Sequence, residues 1–129
     1  MSRRVVVTGM GCISPVGNNV KETWESILAG KSGATNITHF DASKHKTRFA
    51  AEVKRFDPVA LFGAREARKM DRFTQFATAA AVEALAQAGL QIDESNRDRV
   101  GIVTGTGIGG IGTLLEQANV LRERGPERV

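Results

Sequence analysis

Residues Arg4 to Asn19, RVVVTGMGCISPVGNN, constrain the fold more than any other stretch of this chain. Val5, Val6 and Val7 run into Thr8 without a charged or turn-forming break. A β-branched run of this kind predicts a short strand buried on both faces, as in a sheet covered by helices. Gly9 and Gly11, one residue apart, then permit a tight turn or a close approach by another part of the chain. Ser14-Pro15 and Gly17-Asn18-Asn19 carry the loop to a helix start. Strand, glycine turn and helix cap in that order open an α/β domain, where sites gather beyond the carboxyl ends of the strands.

The 129 residues accommodate one domain, not two comfortable ones. With 41% hydrophobic residues the chain can form a core, so disorder is excluded as the default. No apolar run approaches the roughly 18 residues of a membrane helix. The run from Val5 to Val7 is shorter than the apolar part of a secretory signal, about 7–15 residues. A single cysteine, Cys12, cannot form an internal disulfide, and the expectation is a cytoplasmic protein with no membrane partner. The net charge of +4 is mild, tyrosine is absent and tryptophan occurs once. Dense basic runs with interleaved aromatics are lacking, so nucleic acid is not an expected partner.

Asn19 and Glu22 resemble a capping box, and Val20, Trp24, Ile27 and Leu28 share one face of the helix that follows, up to Gly30. Lys31 to Lys46 reads as loop and Arg48 to Val53 as a short strand. Asp57-Pro58 predicts a short helix running to Gly63. Ala64 to Ala88 contains neither Gly nor Pro and is rich in alanine, which predicts one helix roughly 40 Å long, ended by Gly89. Its apolar face holds Met70, Phe73, Ala77, Ala81, Ala84, Leu85 and Ala88, and its small residues invite close packing. Asp93 to Arg99 is a charged loop. Val100 to Thr104 predicts a second buried strand entering the glycine cluster Gly105 to Gly112, and Thr113 to Arg124 a further helix ended by Gly125-Pro126.

Three constellations bear on chemistry. Gly105-Thr106-Gly107-Ile108-Gly109-Gly110 matches G-x-G-x-x-G between a strand and a helix, the pattern of a pyrophosphate site, yet a second strand ending in an acidic residue is missing. A tight turn is the simpler reading. Cys12 lies where a nucleophile could sit, but nothing places His39 or His45 beside it, and a small packing residue is the expectation. Two histidines and one cysteine so scattered make a poor metal site. Arg65, Arg68, Lys69 and Arg72 recur at helical spacing on one stripe of the expected long helix, at its N-terminal end, where the helix dipole disfavours cations. The stripe reads either as a solvated face or as a docking patch for an acidic partner.

Together, VVVTGMGCISPVGN at Val5 to Asn18, RKMDRF at Arg68 to Phe73 and GTGIGGIG at Gly105 to Gly112 resemble the N-terminal part of the β-ketoacyl-[acyl-carrier-protein] synthases, most nearly those of bacterial type II fatty-acid synthesis. The resemblance covers residues 1–129 in order. It implies an α/β chain forming the N-terminal portion of a thiolase-like α-β-α-β-α layered fold, incomplete here. It also implies a homodimeric acyltransferase without cofactors, which condenses a cysteine-bound acyl chain with malonyl-carrier protein and releases carbon dioxide. The family's nucleophilic cysteine and two histidines lie in later segments, so this chain is expected to hold no catalytic residue and to be inactive alone. Arg65, Arg68 and Lys69 match basic positions that dock the acyl carrier protein. Arg128 matches another, although its neighbour is Glu127 where the family is basic. Ile108, with Gly107 beside it, matches a position lining the acyl tunnel near the dimer interface. The alternatives are a non-catalytic module that binds acyl carrier protein and, further off, a piece of a dinucleotide-binding oxidoreductase.

Overall fold

Asn19 opens the first helix by the mechanism its sequence implies. In the computed structural model, which describes residues 3–128, the Asn19 side-chain oxygen accepts from the Glu22 amide at 2.8 Å. The Glu22 carboxylate reaches back to the Asn18 amide at 2.9 Å, one residue earlier than a capping box requires. That bond, supported by Asn19 and Arg55, holds the Glu22 carboxyl below its ordinary value. Helix α1 spans Val20–Leu28 and closes at Ala29, with Gly30 beyond it at φ 64.

Two short strands follow. β1 (Ala34–Asn36) pairs antiparallel with β2 (Phe49–Ala51), Ala34 opposite Ala51 and Asn36 opposite Phe49. β2 falls inside the expected strand. β1 corrects the loop reading of 31–46: Ala-Thr-Asn has no apolar alternation, and only its cross-strand hydrogen bonds make it a strand. The hairpin is closed by Glu52, which accepts from the Thr38 hydroxyl at 2.7 Å and the Thr38 amide at 3.1 Å.

Asp57 caps α2 (Pro58–Ala67), accepting from the Val59 and Ala60 amides at 2.9 and 3.1 Å. The helix is broken at Gly63, whose φ of 76° and ψ of 155° leave helical space. Residues with a Cβ are strained there, so the expected stop at Gly63 is real and a second short turn carries on to Ala67.

The single helix expected over 64–88 is not formed. α2 stops at Ala67 and α3 spans Arg72–Ala88, with Asp71 at its N-cap. The break needs neither Gly nor Pro. The Lys69 and Met70 amides turn back to the Glu66 and Ala67 carbonyls, tightening the last turn. The buried Gln75 side chain then donates to the Ala67 and Met70 carbonyls at 2.9 and 3.2 Å, so freed acceptors find a partner. α3 ends at Gly89 in left-handed conformation, as expected.

The two predicted buried strands are also corrected. Residues 5–8 and 100–104 are in no sheet, and Val5, Val7 and Val103 are 94%, 81% and 100% exposed. A strand requires a ladder partner, and the only sheet among the described residues is β1–β2. The loop after the first segment and residues 102–106 of the second lie beside α3 instead. Gly9 lies against the Ala84 carbonyl and Ala88, and Gly11 against Ala80, so closely that a Cβ on either glycine would overlap α3 backbone. The alanine face of α3 thus receives backbone at close range, as its small residues implied. The Met10 amide donates to Gln87 Oε1 at 2.6 Å and the Cys12 amide to Glu83 Oε2 at 2.9 Å, so α3 side chains take the place of a neighbouring strand.

The small core sits where the segment leading into α2 meets α3. Phe56 and Phe76 meet edge to face with centroids 4.9 Å apart. The Arg72 guanidinium lies over both rings, 4.9 Å from Phe76 and 5.6 Å from Phe56. Helix α4 (Ile111–Arg124) ends at Gly125 and leads to a short 3₁₀ turn, Pro126–Arg128.

Candidate functional site

The basic residues at the end of α2 form a cluster, with a geometry different from the expected stripe. Arg65 lies in the last turn of α2, Arg68 is its C-cap, and Lys69 sits in the turn beyond. Because α3 begins only at Arg72 and α2 is broken at Gly63, Arg65, Arg68 and Lys69 do not stand in the first turns of one long helix, and the disfavoured placement expected there does not arise. Lys69 Nζ is 2.8 Å from Glu66 Oε1, and Arg65 Nε is 4.0 Å from the same oxygen. Arg72 is not in the cluster: it begins α3, covers Phe56 and Phe76, and its Nη2 donates to the Val53 carbonyl at 3.4 Å. Arg128 stands apart on the turn after α4, its amide bonded to the Gly125 carbonyl.

The glycine cluster enters α4 through a turn in which the Gly109 amide donates to Thr106 Oγ1 at 3.0 Å. The start of α3 holds this turn. The Phe73 ring packs beside Gly109, and the Asp71 carboxylate faces Gly110 so closely that a Cβ there would overlap it. The Thr113 hydroxyl donates to Asp71 Oδ1. Asp71, which makes no side-chain cap to its own helix, therefore supplies the negative charge at the N-terminus of α4. A pyrophosphate approaching that helix end meets this carboxylate, which disfavours the dinucleotide reading.

Ile108 is 72% exposed at the tip of the turn, and a Cβ at Gly107 would have open space around it. Alongside lies an apolar cleft of 550 Å³ between the Phe73, Ala77, Ala81 and Leu85 face of α3 and residues 102–106. Gly107 and Ile108 stand just beyond its end and do not line it.

A second cleft, of 790 Å³, lies between Met10, Gly11 and Cys12 and the Val20, Trp24 and Ile27 face of α1. That apolar face, read correctly from its spacing, is open: Trp24 and Ile27 are more than half exposed. Cys12 is half-buried here with Glu83 on its amide. Neither imidazole is beside it. His39 Nε2 is 3.9 Å from Glu52, and His45 stacks edge-on with Phe40. Among the described residues no group of three His, Cys, Asp or Glu could hold a metal ion, and no helix is long and apolar enough to cross a membrane.

Sequence reasoning missed Glu83, Gln87 and Asp71. Glu83 Oε1 accepts from the Val20 amide at 2.9 Å while Oε2 takes Cys12, so one carboxylate joins α1, the first loop and α3. Glu83 and Gln87 stand four apart on α3, one turn of a single face, but nothing local says which backbone they meet. For Asp71 there was a signal: Asp immediately before a helical run is a favoured N-cap, and reading it so divides 64–88 in the right place.

Comparison with known proteins gives a consistent picture. Residues 2–129 match the family described as beta-ketoacyl synthase, N-terminal domain. The 3-oxoacyl-[acyl-carrier-protein] synthase 2 of Vibrio harveyi is 50% identical over 127 residues, which is 98% of this chain and 31% of the relative. The protein of the same name from Synechocystis sp. is 44% identical over 126 residues, again 98% of this chain and 30% of the relative. The chain thus spans about a third of the length of these curated relatives. Among solved structures, the ishigamide ketosynthase/chain length factor superimposes with a TM-score of 0.74 at 37% identity, covering 98% of this chain and 32% of that one. A type II PKS acyl-carrier protein in complex with its ketosynthase bound to the hexaketide gives 0.75 at 27% identity, covering 100% and 34%.

Proposed function

The chain belongs to the β-ketoacyl synthase family, as part of its N-terminal domain, and on that premise we propose that it supplies the carrier-docking surface and one wall of the acyl tunnel of a 3-oxoacyl-[acyl-carrier-protein] synthase. Its fold is a portion of the thiolase-like layered arrangement of the ketosynthases. In this reading the protein extends fatty acids: an acyl chain held as a cysteine thioester condenses with malonyl-carrier protein, and carbon dioxide leaves. It works as a homodimer in the cytoplasm.

The observation that carries the reading is the cluster Arg65, Arg68 and Lys69, exposed at the end of α2, in a chain similar to a ketosynthase solved with its carrier protein. Arg128 extends the docking surface from the turn after α4. Gly107 and Ile108 are the proposed tunnel-wall residues, a role carried by the family resemblance, since neither lines the apolar cleft along α3. Replacing Arg65, Arg68 and Lys69 together by alanine is expected to weaken binding of acyl carrier protein at least about tenfold at low salt, with less loss at high salt. Equal affinity for parent and variant overturns the docking reading.

Catalysis is not assigned to any residue here. Cys12 has Glu83 at its amide, and both imidazoles stand elsewhere, beside Glu52 and Phe40. This favours, for the chain taken alone, the reading of a carrier-binding module without chemistry. Incubated with acyl- and malonyl-carrier protein, the 129-residue chain is expected to release no carbon dioxide above a blank; turnover that the Cys12→Ala variant loses overturns it.

A further inference from the structure

We infer that Glu66 is an intramolecular competitor at the docking cluster, holding Lys69 and Arg65 partly neutralised until an acidic partner displaces it. The inference rests on the docking reading above and deepens it. Glu66 lies between the two cations in space as well as in sequence: its Oε1 is 2.8 Å from Lys69 Nζ and 4.0 Å from Arg65 Nε. The backbone favours this, because the Lys69 amide turns back to the Glu66 carbonyl at 3.1 Å and brings both side chains onto one short turn. Arg68, among the described residues, has no carboxylate within ion-pair reach, and so meets an approaching anion with its charge undiminished.

Exposure makes the arrangement a competition and not a lock. The Glu66 and Lys69 side chains are both 56% exposed, so their pairing has the modest strength of a surface ion pair and exchanges readily. A carboxylate on a partner competes with Glu66 for the same Lys69 ammonium. Two orderings follow. Removing the Glu66 charge strengthens docking, and Arg68 contributes more than Lys69 to the affinity measured.

The experiment is a titration of the full chain and its variants with an acidic acyl carrier protein. Glu66→Gln is expected to bind about two- to fivefold tighter than the parent at low salt, the range of an exposed ion pair, and the gain should shrink as salt is raised. Arg68→Ala should lose more affinity than Lys69→Ala. Glu25→Gln is the control: it removes the same unit of negative charge from α1, where Glu25 faces Lys21 at 4.0 Å, and should leave affinity unchanged. If Glu66→Gln binds equally or more weakly, or if Glu25→Gln tightens binding as much, Glu66 is not a competitor, whatever the alanine triple variant shows. If the triple variant binds like the parent, or the parent does not bind, the docking reading itself falls and takes this inference with it.

Discussion

Glu52 shows how a single side chain is set by its neighbours. The Thr38 hydroxyl and amide donate to its carboxylate, the His39 amide adds a third donor, and together they hold its carboxyl below the ordinary value of 4.5. A carboxylate stabilised in the folded state contributes stability that is fully present above the unfolded value and lost as pH falls through the depressed one. The hairpin should therefore loosen in acid, below pH 4.5 and not above it. Carboxyl chemical shifts followed through an acid titration should place the Glu52 midpoint under 4.5, and Thr38→Val should raise it. A midpoint at or above 4.5 contradicts the assignment. Asp41 and Asp93 are lowered in the same manner by Ser43 and Ser95, in each case a serine two residues on. Such local bonds are legible from sequence, because Asp-x-Ser is a turn pattern. The Thr38–Glu52 bond is not, since it depends on the register of β1 and β2.

Among the elements, the junction of α2 and α3 matters most. One uninterrupted helix would place Arg65, Arg68, Lys69 and Arg72 on a common stripe. The break at Arg68–Asp71 sends Arg72 into the aromatic pair and leaves the other three at the end of α2. Arg72 is thus a structural cation, with its charge over Phe56 and Phe76. Arg72→Ala is expected to reduce amide-exchange protection in α3 by about 1 kcal/mol, from the lost cation–π contacts and covered ring surface. The same variant should leave carrier affinity within about twofold, since a screened distant charge contributes little. A loss of affinity matching that of Arg68→Ala would return Arg72 to the docking surface. The same junction also aims Asp71 at Gly110 and Thr113, so the basic segment and the Ile108 turn share one anchor.

At the scale of the whole chain, the described residues bury little. Ala42, Phe56 and Ala67 are the buried apolar residues, and no large side chain is fully buried. Val5, Val6, Val7, Ile102 and Val103 instead present apolar surface and unpaired backbone, which invite strand pairing with another chain. Sedimentation should show association that increases with concentration, and Val6→Lys with Val103→Lys should reduce it. A sharply melting monomer would contradict this expectation. Helix starts at Asn19 and Asp57, stops at Gly30, Gly63 and Gly89, the close-packing face of α3 and the identity of the basic positions were all determined by the sequence alone, because capping, left-handed backbone and side-chain size act within a few residues. Only the tertiary structure decided that Glu83 and Gln87 hold the first loop, that Asp71 serves α4, and that the valine runs stand unpaired. Each of these turns on which groups folding brings together, or leaves apart, between residues distant in the chain, and local sequence does not encode that.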